Sequence, residues 1–123
     1  MIILRPLGFY RELDYPDWSG SIKEAVSLEP SLNEVKIIEY LNKGELFSVI
    51  TCTATDVLAS DLIRIGAAHL LTDGRWVWPR TLAYYVRKYH CRLPDVFTTE
   101  LRDNNFEFPD RSLIDVHKLK LPV

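Results

Sequence analysis

The side chains best equipped for chemistry are three histidines, His69, His90 and His117, and two cysteines, Cys52 and Cys91. His90 and Cys91 are adjacent, which suggests a nucleophile with its base. Both fall at the end of a helical pattern, however, where sequence neighbours point about 100° apart and hydrogen-bond each other poorly. His90 instead completes the apolar stripe Leu82, Tyr85, Val86 and Tyr89, so a core role is expected. His69 shares a strand face with Ile65 and Leu71 and reads as a satisfied, half-buried imidazole. No histidine stands at metal-ligand spacing from a Cys, Asp or Glu on one element, so no metal or other cofactor is expected. The five glycines are scattered, with no phosphate-cradling loop and no nucleophile elbow. Asp56 with Asp61 is a weak carboxylate pair. No catalytic residue is assigned. The alternative is a small enzyme or ligand-binding protein using His69, His90 and Cys91, which requires a cavity where the three meet.

A second chemistry is stacking. Arg75, Arg80, Arg87, Lys88 and Arg92 interleave with Trp76, Trp78, Tyr84, Tyr85 and Tyr89, as in single-strand nucleic-acid binders. The helical stripe turns Tyr85 and Tyr89 inward, and the chain carries a net charge of -2 rather than a basic excess. A nucleic-acid partner is therefore not expected. With 123 residues, the chain fits one domain, 1–123, large enough to bury its own core. The cysteines have no short spacing and read as buried free thiols of a reducing compartment. The first residues lack the apolar region of a signal peptide, and no apolar run approaches the ~20 residues of a membrane span. A cytoplasmic protein without a membrane partner is expected.

Positioning these side chains needs a set of elements. Ile2–Leu4 predicts a short edge strand stopped by Pro6. Residues 7–18 form an irregular loop in which Phe9, Tyr10, Tyr15 and Trp18 alternate with Glu12, Asp14 and Asp17. Those aromatics are expected to fold onto the core. Ser21 with Glu24 and Ser31 with Glu34 have capping-box spacing and predict two helix starts. The second helix carries Leu32, Val35, Ile38 and Leu41 on one side, widened by Ile37 and Tyr40, and ends at Gly44, where a positive φ is expected. Residues 45–53 predict a central strand covered on both faces, 53–60 a loop or single helical turn, and 62–72 a second strand with a bulge or close approach at Gly66. Asp73-Gly74 predicts a tight hairpin with positive φ at both residues, returning through Arg75–Trp78. A helix over 80–91 follows, stopped by Pro94. A short helix capped by Asp95 then turns Val96, Phe97 and Leu101 inward. Phe106 and Phe108 alternate as an extended segment. The fold class is α+β: a small antiparallel sheet with a β-hairpin, packed against three to four helices.

Residues 71–97 resemble a small family of bacterial proteins, some found beside polymorphic toxins. The resemblance rests on Thr72-Asp73-Gly74, Trp76, Trp78, Leu82, Tyr84-Tyr85-Val86, Tyr89-His90, Leu93-Pro94 and Phe97. Ile38, Tyr40-Leu41, Gly44 and Asp56-Val57-Leu58 extend it upstream, so it covers most of residues 20–105. The sequence departs from the pattern at Arg80-Thr81, where an acidic residue is common, and at Cys91, where a β-branched residue is usual. The resemblance implies an immunity protein that binds the C-terminal domain of a cognate toxin, of the contact-dependent growth inhibition type, without catalysis. Its marks coincide with residues expected in the core, so they report fold rather than interface. Many toxic nucleases are basic, and acidic groups would steer such a partner. The expected toxin-binding residues are Glu12, Asp14 and Asp17 of the aromatic loop, with Trp18 as anchor.

Overall fold

The computed structural model describes residues 2–13, 15–61 and 63–122. The fold is α+β. Its strands are β1 (Ile2–Ile3), β2 (Arg5–Pro6), β3 (Glu45–Ser48), β4 (Thr53–Thr55), β5 (Arg64–Ala67), β6 (Leu70–Thr72), β7 (Trp76–Pro79) and β8 (Leu119–Lys120). The helices are α1 (Ile22–Ala25), α2 (Glu34–Asn42), α3 (Leu82–Tyr89) and α4 (Asp95–Asp103). The main sheet runs β2-β7-β6-β3. Its β6–β7 and β3–β6 pairs are antiparallel, but β2 lies parallel to β7, so the sheet is mixed; its N-terminal edge strand is Arg5–Pro6 rather than the expected Ile2–Leu4, of which Ile2 and Ile3 pair outside this sheet. β1 and β8 form a small parallel pair, and β4 and β5 an antiparallel ribbon.

Alternation along β6 and β7 splits the core into two layers. Leu71, Trp76 and Trp78 join Ile37, Tyr40 and Leu41 of α2, Leu82, Tyr85 and Val86 of α3, and Phe97 and Leu101 of α4. Leu70 and Val77 join Leu4, Phe9 and Leu119 in the other layer. The segment 45–53 departs from expectation: Glu45–Ser48 alone joins the main sheet, at its edge, Val49 is exposed, and Thr53 belongs to β4. The expected strand 62–72 breaks at Ala68-His69 into β5 and β6, and its first residue, Leu62, lies outside the described residues. The register shift between Ala54 and Thr55, beside Gly66 at φ +114°, is the expected bulge. Its partner strand β4 lies where a loop or helical turn is expected; three residues, Thr-Ala-Thr, are too short to show a period.

The hairpin turn is built differently from a two-residue loop. Only Gly74 has positive φ; Asp73 does not. The Asp73 carboxylate supplies the reversal instead, accepting from the amides of Arg75 at 2.9 Å and Trp76 at 2.8 Å. The helix starts also differ from the capping-box reading. Ser21 caps α1 through Lys23 N–H, but Glu12, not Glu24, completes the cap by accepting from the Ile22 amide. α2 starts at Glu34 after Asn33 in the left-handed region, leaving Leu32 and Val35 77% and 69% exposed. The inward side is Ile37, Tyr40 and Leu41. α4 turns Phe97 and Leu101 inward but leaves Val96 exposed, and Pro94 rather than Asp95 precedes it. Phe106 lies outside any strand and, like Asn105, has positive φ.

Gly44 is required for space rather than for φ. It is absent from the positive-φ positions, yet a Cβ there would stand 2.7 Å from Leu71 Cβ and 2.8 Å from the Trp78 ring. Both neighbours are core atoms that cannot swing aside. Gly44→Ala is expected to lower stability by about 1–3 kcal/mol through overpacking. A urea midpoint unchanged from the parent would refute this steric reading.

Candidate functional site

The expected toxin-binding loop is folded inward on itself. Glu12 accepts from the Ile22 amide at 2.8 Å and from the Ser21 hydroxyl, which holds its carboxyl below the ordinary range. Asp17 is exposed, but it accepts from Arg11 Nε and the Gly20 amide, both at 3.2 Å. Trp18 packs edge-on against Phe9 at 5.0 Å and is half-buried, as the core-folding expectation had it. Asp14 lies outside the described residues. The loop's described acids are therefore partly engaged in holding it together.

The three side chains of the enzyme alternative occupy separate positions. His69 Nδ1 accepts from the Ile50 amide at 2.9 Å, and the His69 carbonyl accepts from Arg80 N–H at 2.8 Å. His90 is the left-handed C-cap of α3, and its Nδ1 lies 3.0 Å from both carboxylate oxygens of Glu34. This half-buried interhelical bond replaces the core role expected from the stripe. Cys91 is buried, and burial, then the charges of Asp56 and Glu34, push its thiol up to about 11, far from a thiolate at neutral pH. Cys52 is exposed, against expectation, and both cysteines are free. Cys91 lines a cleft of about 290 Å³ with Ile37, Val86 and Phe106, and neither His69 nor His90 lines it. A thiol-reactive maleimide at neutral pH is expected to label Cys52 in the folded protein and Cys91 only after unfolding, giving one and then two adducts by mass. Two adducts under native conditions would contradict this burial.

The basic-aromatic stretch is also engaged internally. Trp76 and Trp78 are buried; the indole of Trp76 donates to Glu100 at 2.8 Å and that of Trp78 to the Leu41 carbonyl at 3.1 Å. Tyr84, Tyr89 and Lys88 converge on Asp56, whose side chain is fully buried. Its Oδ2 accepts from both tyrosine hydroxyls at 2.7 Å and from Lys88 Nζ at 3.4 Å, while Oδ1 accepts from the Leu58 amide at 2.9 Å. Burial alone would raise this carboxyl's pKa. The hydroxyls of Tyr89 and Tyr84, the Leu58 amide and Lys88 outweigh burial and hold it below the ordinary carboxylate value. Tyr85, pushed up to about 12 mainly by burial, accepts from the Val57 amide and donates to the Thr55 carbonyl. Asp56 and Tyr85 thus clasp α3 to the chain after β4. Sequence reading missed this hub, although Tyr84 and Tyr89, five apart with Lys88 between them, were in view.

A second polar node centres on Asp73, whose Oδ2 accepts from the buried Tyr40 hydroxyl at 2.6 Å. Beside it, the β6–β7 turn, the end of α4 and residues 104–114 enclose a cleft of about 440 Å³. Trp76, Phe97 and Phe108 form apolar parts of its wall, and Glu100, Glu107 and Asp110 lie among its polar lining. Among the described residues, every buried side-chain polar atom has a hydrogen-bond partner, and no group of three or more His, Cys, Asp or Glu is placed to hold a metal ion. No described helix is long and apolar enough to cross a membrane. No protein-family model, curated protein or solved structure matches this chain.

Proposed function

We propose that this chain is a non-catalytic binding module: a cytoplasmic immunity protein that neutralises the C-terminal domain of a cognate toxin of the contact-dependent growth inhibition type. The observation that carries the reading is where the chemically capable groups stand. Asp56, Asp73, His69 and His90 are engaged in holding elements together, and the buried Cys91 is held as a thiol. The residues that carry the family resemblance have the same character, since Asp73, Trp76, Trp78, Tyr84, Tyr89 and His90 build the hairpin, the core and the clasps. Surface recognition is the role that such a scaffold leaves open, and aromatic and acidic groups around one cleft suit a protein partner.

The test is genetic and biochemical together. A large secreted protein is expected to be encoded beside this gene, and its C-terminal domain is expected to arrest growth when expressed alone. Co-expression with this chain is expected to restore growth and to yield a one-to-one complex on size exclusion. A toxic neighbouring domain that this chain neither rescues nor retains would overturn the proposal.

A further inference from the structure

The cleft beside the hairpin turn offers a more specific assignment, which rests on the binding reading above. Its walls are aromatic: Trp76 and Phe97 meet edge-on at 5.3 Å, and Tyr40 lies 5.3 Å from Phe108. Two of the protein's own guanidinium groups already sit on these rings, Arg5 at 4.0 Å over Trp76 and Arg111 at 4.8 Å over Phe108. Each is neutralised in place, Arg5 by Glu100 at 2.6 Å and Arg111 by Glu45. With those pairs set aside, the lining holds three carboxylates, Asp73, Glu107 and Asp110, against one cation, Arg75. Asp73 is turned to the hairpin amides and Tyr40, and Asp110 holds Ser112 through a single oxygen, Oδ1. Glu107 is exposed, and its carboxylate makes no hydrogen bond or ion pair among the described residues.

We infer that this cleft receives an arginine side chain from a basic face of the protein partner, its guanidinium bonded by Glu107 and Asp110 beside the half-buried Phe108 ring. The chemistry favours arginine over lysine. A planar guanidinium donates to two carboxylates at once and is weakly hydrated, whereas a compact ammonium keeps more of its hydration. The volume of about 440 Å³ lies within the range of side-chain and ligand pockets, so the flanking backbone has room at the mouth. This places the recognition surface at the hairpin turn and the 104–114 segment, away from the loop of Glu12 and Asp17.

The first arm of the test needs no toxin. Acetyl-arginine amide, titrated into isotopically labelled protein, is expected to shift the Gly74 amide and Trp76 indole resonances. Acetyl-citrulline amide, the neutral isostere, is expected to leave them in place. The double variant Glu107→Gln/Asp110→Asn, altered only at exposed positions, is expected to retain the fold and lose the arginine response. No shift, an equal response to citrulline, or an unchanged response in the variant would overturn the assignment. The second arm uses the toxin domain: the same variant is expected to bind about tenfold more weakly, with less salt dependence. A complex of undiminished affinity would remove the cleft from the interface and leave the binding reading standing. Failure of the parent protein to form any complex would remove the binding reading itself.

Discussion

Asp73→Ala is expected to cost about 3–5 kcal/mol, a large share of the ~5–15 kcal/mol that holds a domain of this kind together. One carboxylate serves three donors: the amides of Arg75 and Trp76 and the hydroxyl of Tyr40. The side chains of Asp73 and Tyr40 are buried, so water does not readily replace what is lost. Each donor left without an acceptor costs about 1–3 kcal/mol, and the effects are not fully additive because all three depend on one group. Asp73→Asn separates the turn from the charge. Its amide oxygen can still accept from the two backbone amides, and its NH2 group can donate to the Tyr40 oxygen, so a loss of about 1 kcal/mol is expected. Urea denaturation provides the readout, with the midpoint falling at constant slope. Equal losses for the two variants would show that the charge, rather than the number of acceptors, holds the hairpin. If the alanine variant does not fold, the asparagine variant still reports.

Asp56→Asn has the second largest expected effect, and its signature is pH dependence. The buried carboxylate accepts from Tyr84, Tyr89, the Leu58 amide and Lys88. Lys88 is 39% exposed, so its ion pair is screened and contributes little; the two tyrosine hydroxyls and the amide dominate. A hydrogen bond to a charged group contributes about 1.5–3 kcal/mol, and the neutral amide keeps part of the network, so a loss of about 2–3 kcal/mol is expected at neutral pH. The sign of the pH effect follows from the depressed folded-state pKa. Such a group stabilises the fold fully above its unfolded value of about 3.9, and the contribution is lost as pH falls through that value towards the folded one. The parent and Asp56→Asn stability curves should therefore lie parallel above about pH 5 and converge below it. A gap that stays constant down to acid unfolding would contradict a charged Asp56 in the folded state.

Periodicity revealed what depends on local spacing. Leu82, Tyr85 and Val86 point inward as their stripe predicts, Trp76 and Trp78 share a face, and Phe97 and Leu101 anchor α4. The failures occur where a distant partner decides. Ser31 and Glu34 have capping-box spacing, but Glu34 is drawn to His90, 56 residues away, and Asn33 supplies the helix start. Ser21 finds its acid in Glu12, upstream, rather than in Glu24. β4 exists only because β5 pairs with it. Val49 looks like core in a run of apolar residues, yet the strand it follows lies at the sheet edge, and edge position cannot be read from composition. Asp56 reads in the sequence only as half of a weak carboxylate pair with Asp61, whereas the tyrosine donors that make its burial tolerable lie on α3, 28 and 33 residues later. The cleft is harder still to see in advance. Trp76 and Glu100 meet only after the sheet and α4 have packed, and the charge they leave unbalanced is a property of three separate segments.

The central claim is stoichiometric binding without turnover, and a neutralisation titration tests it most directly. A fixed amount of the toxin domain is mixed with increasing amounts of this chain, and residual toxin activity is measured after short and long incubation. The account predicts a linear fall to zero at one molar equivalent, identical at both times. A fall that continues with time at substoichiometric amounts would reveal catalytic inactivation, and activity undiminished at excess would deny the interaction; either result contradicts the account.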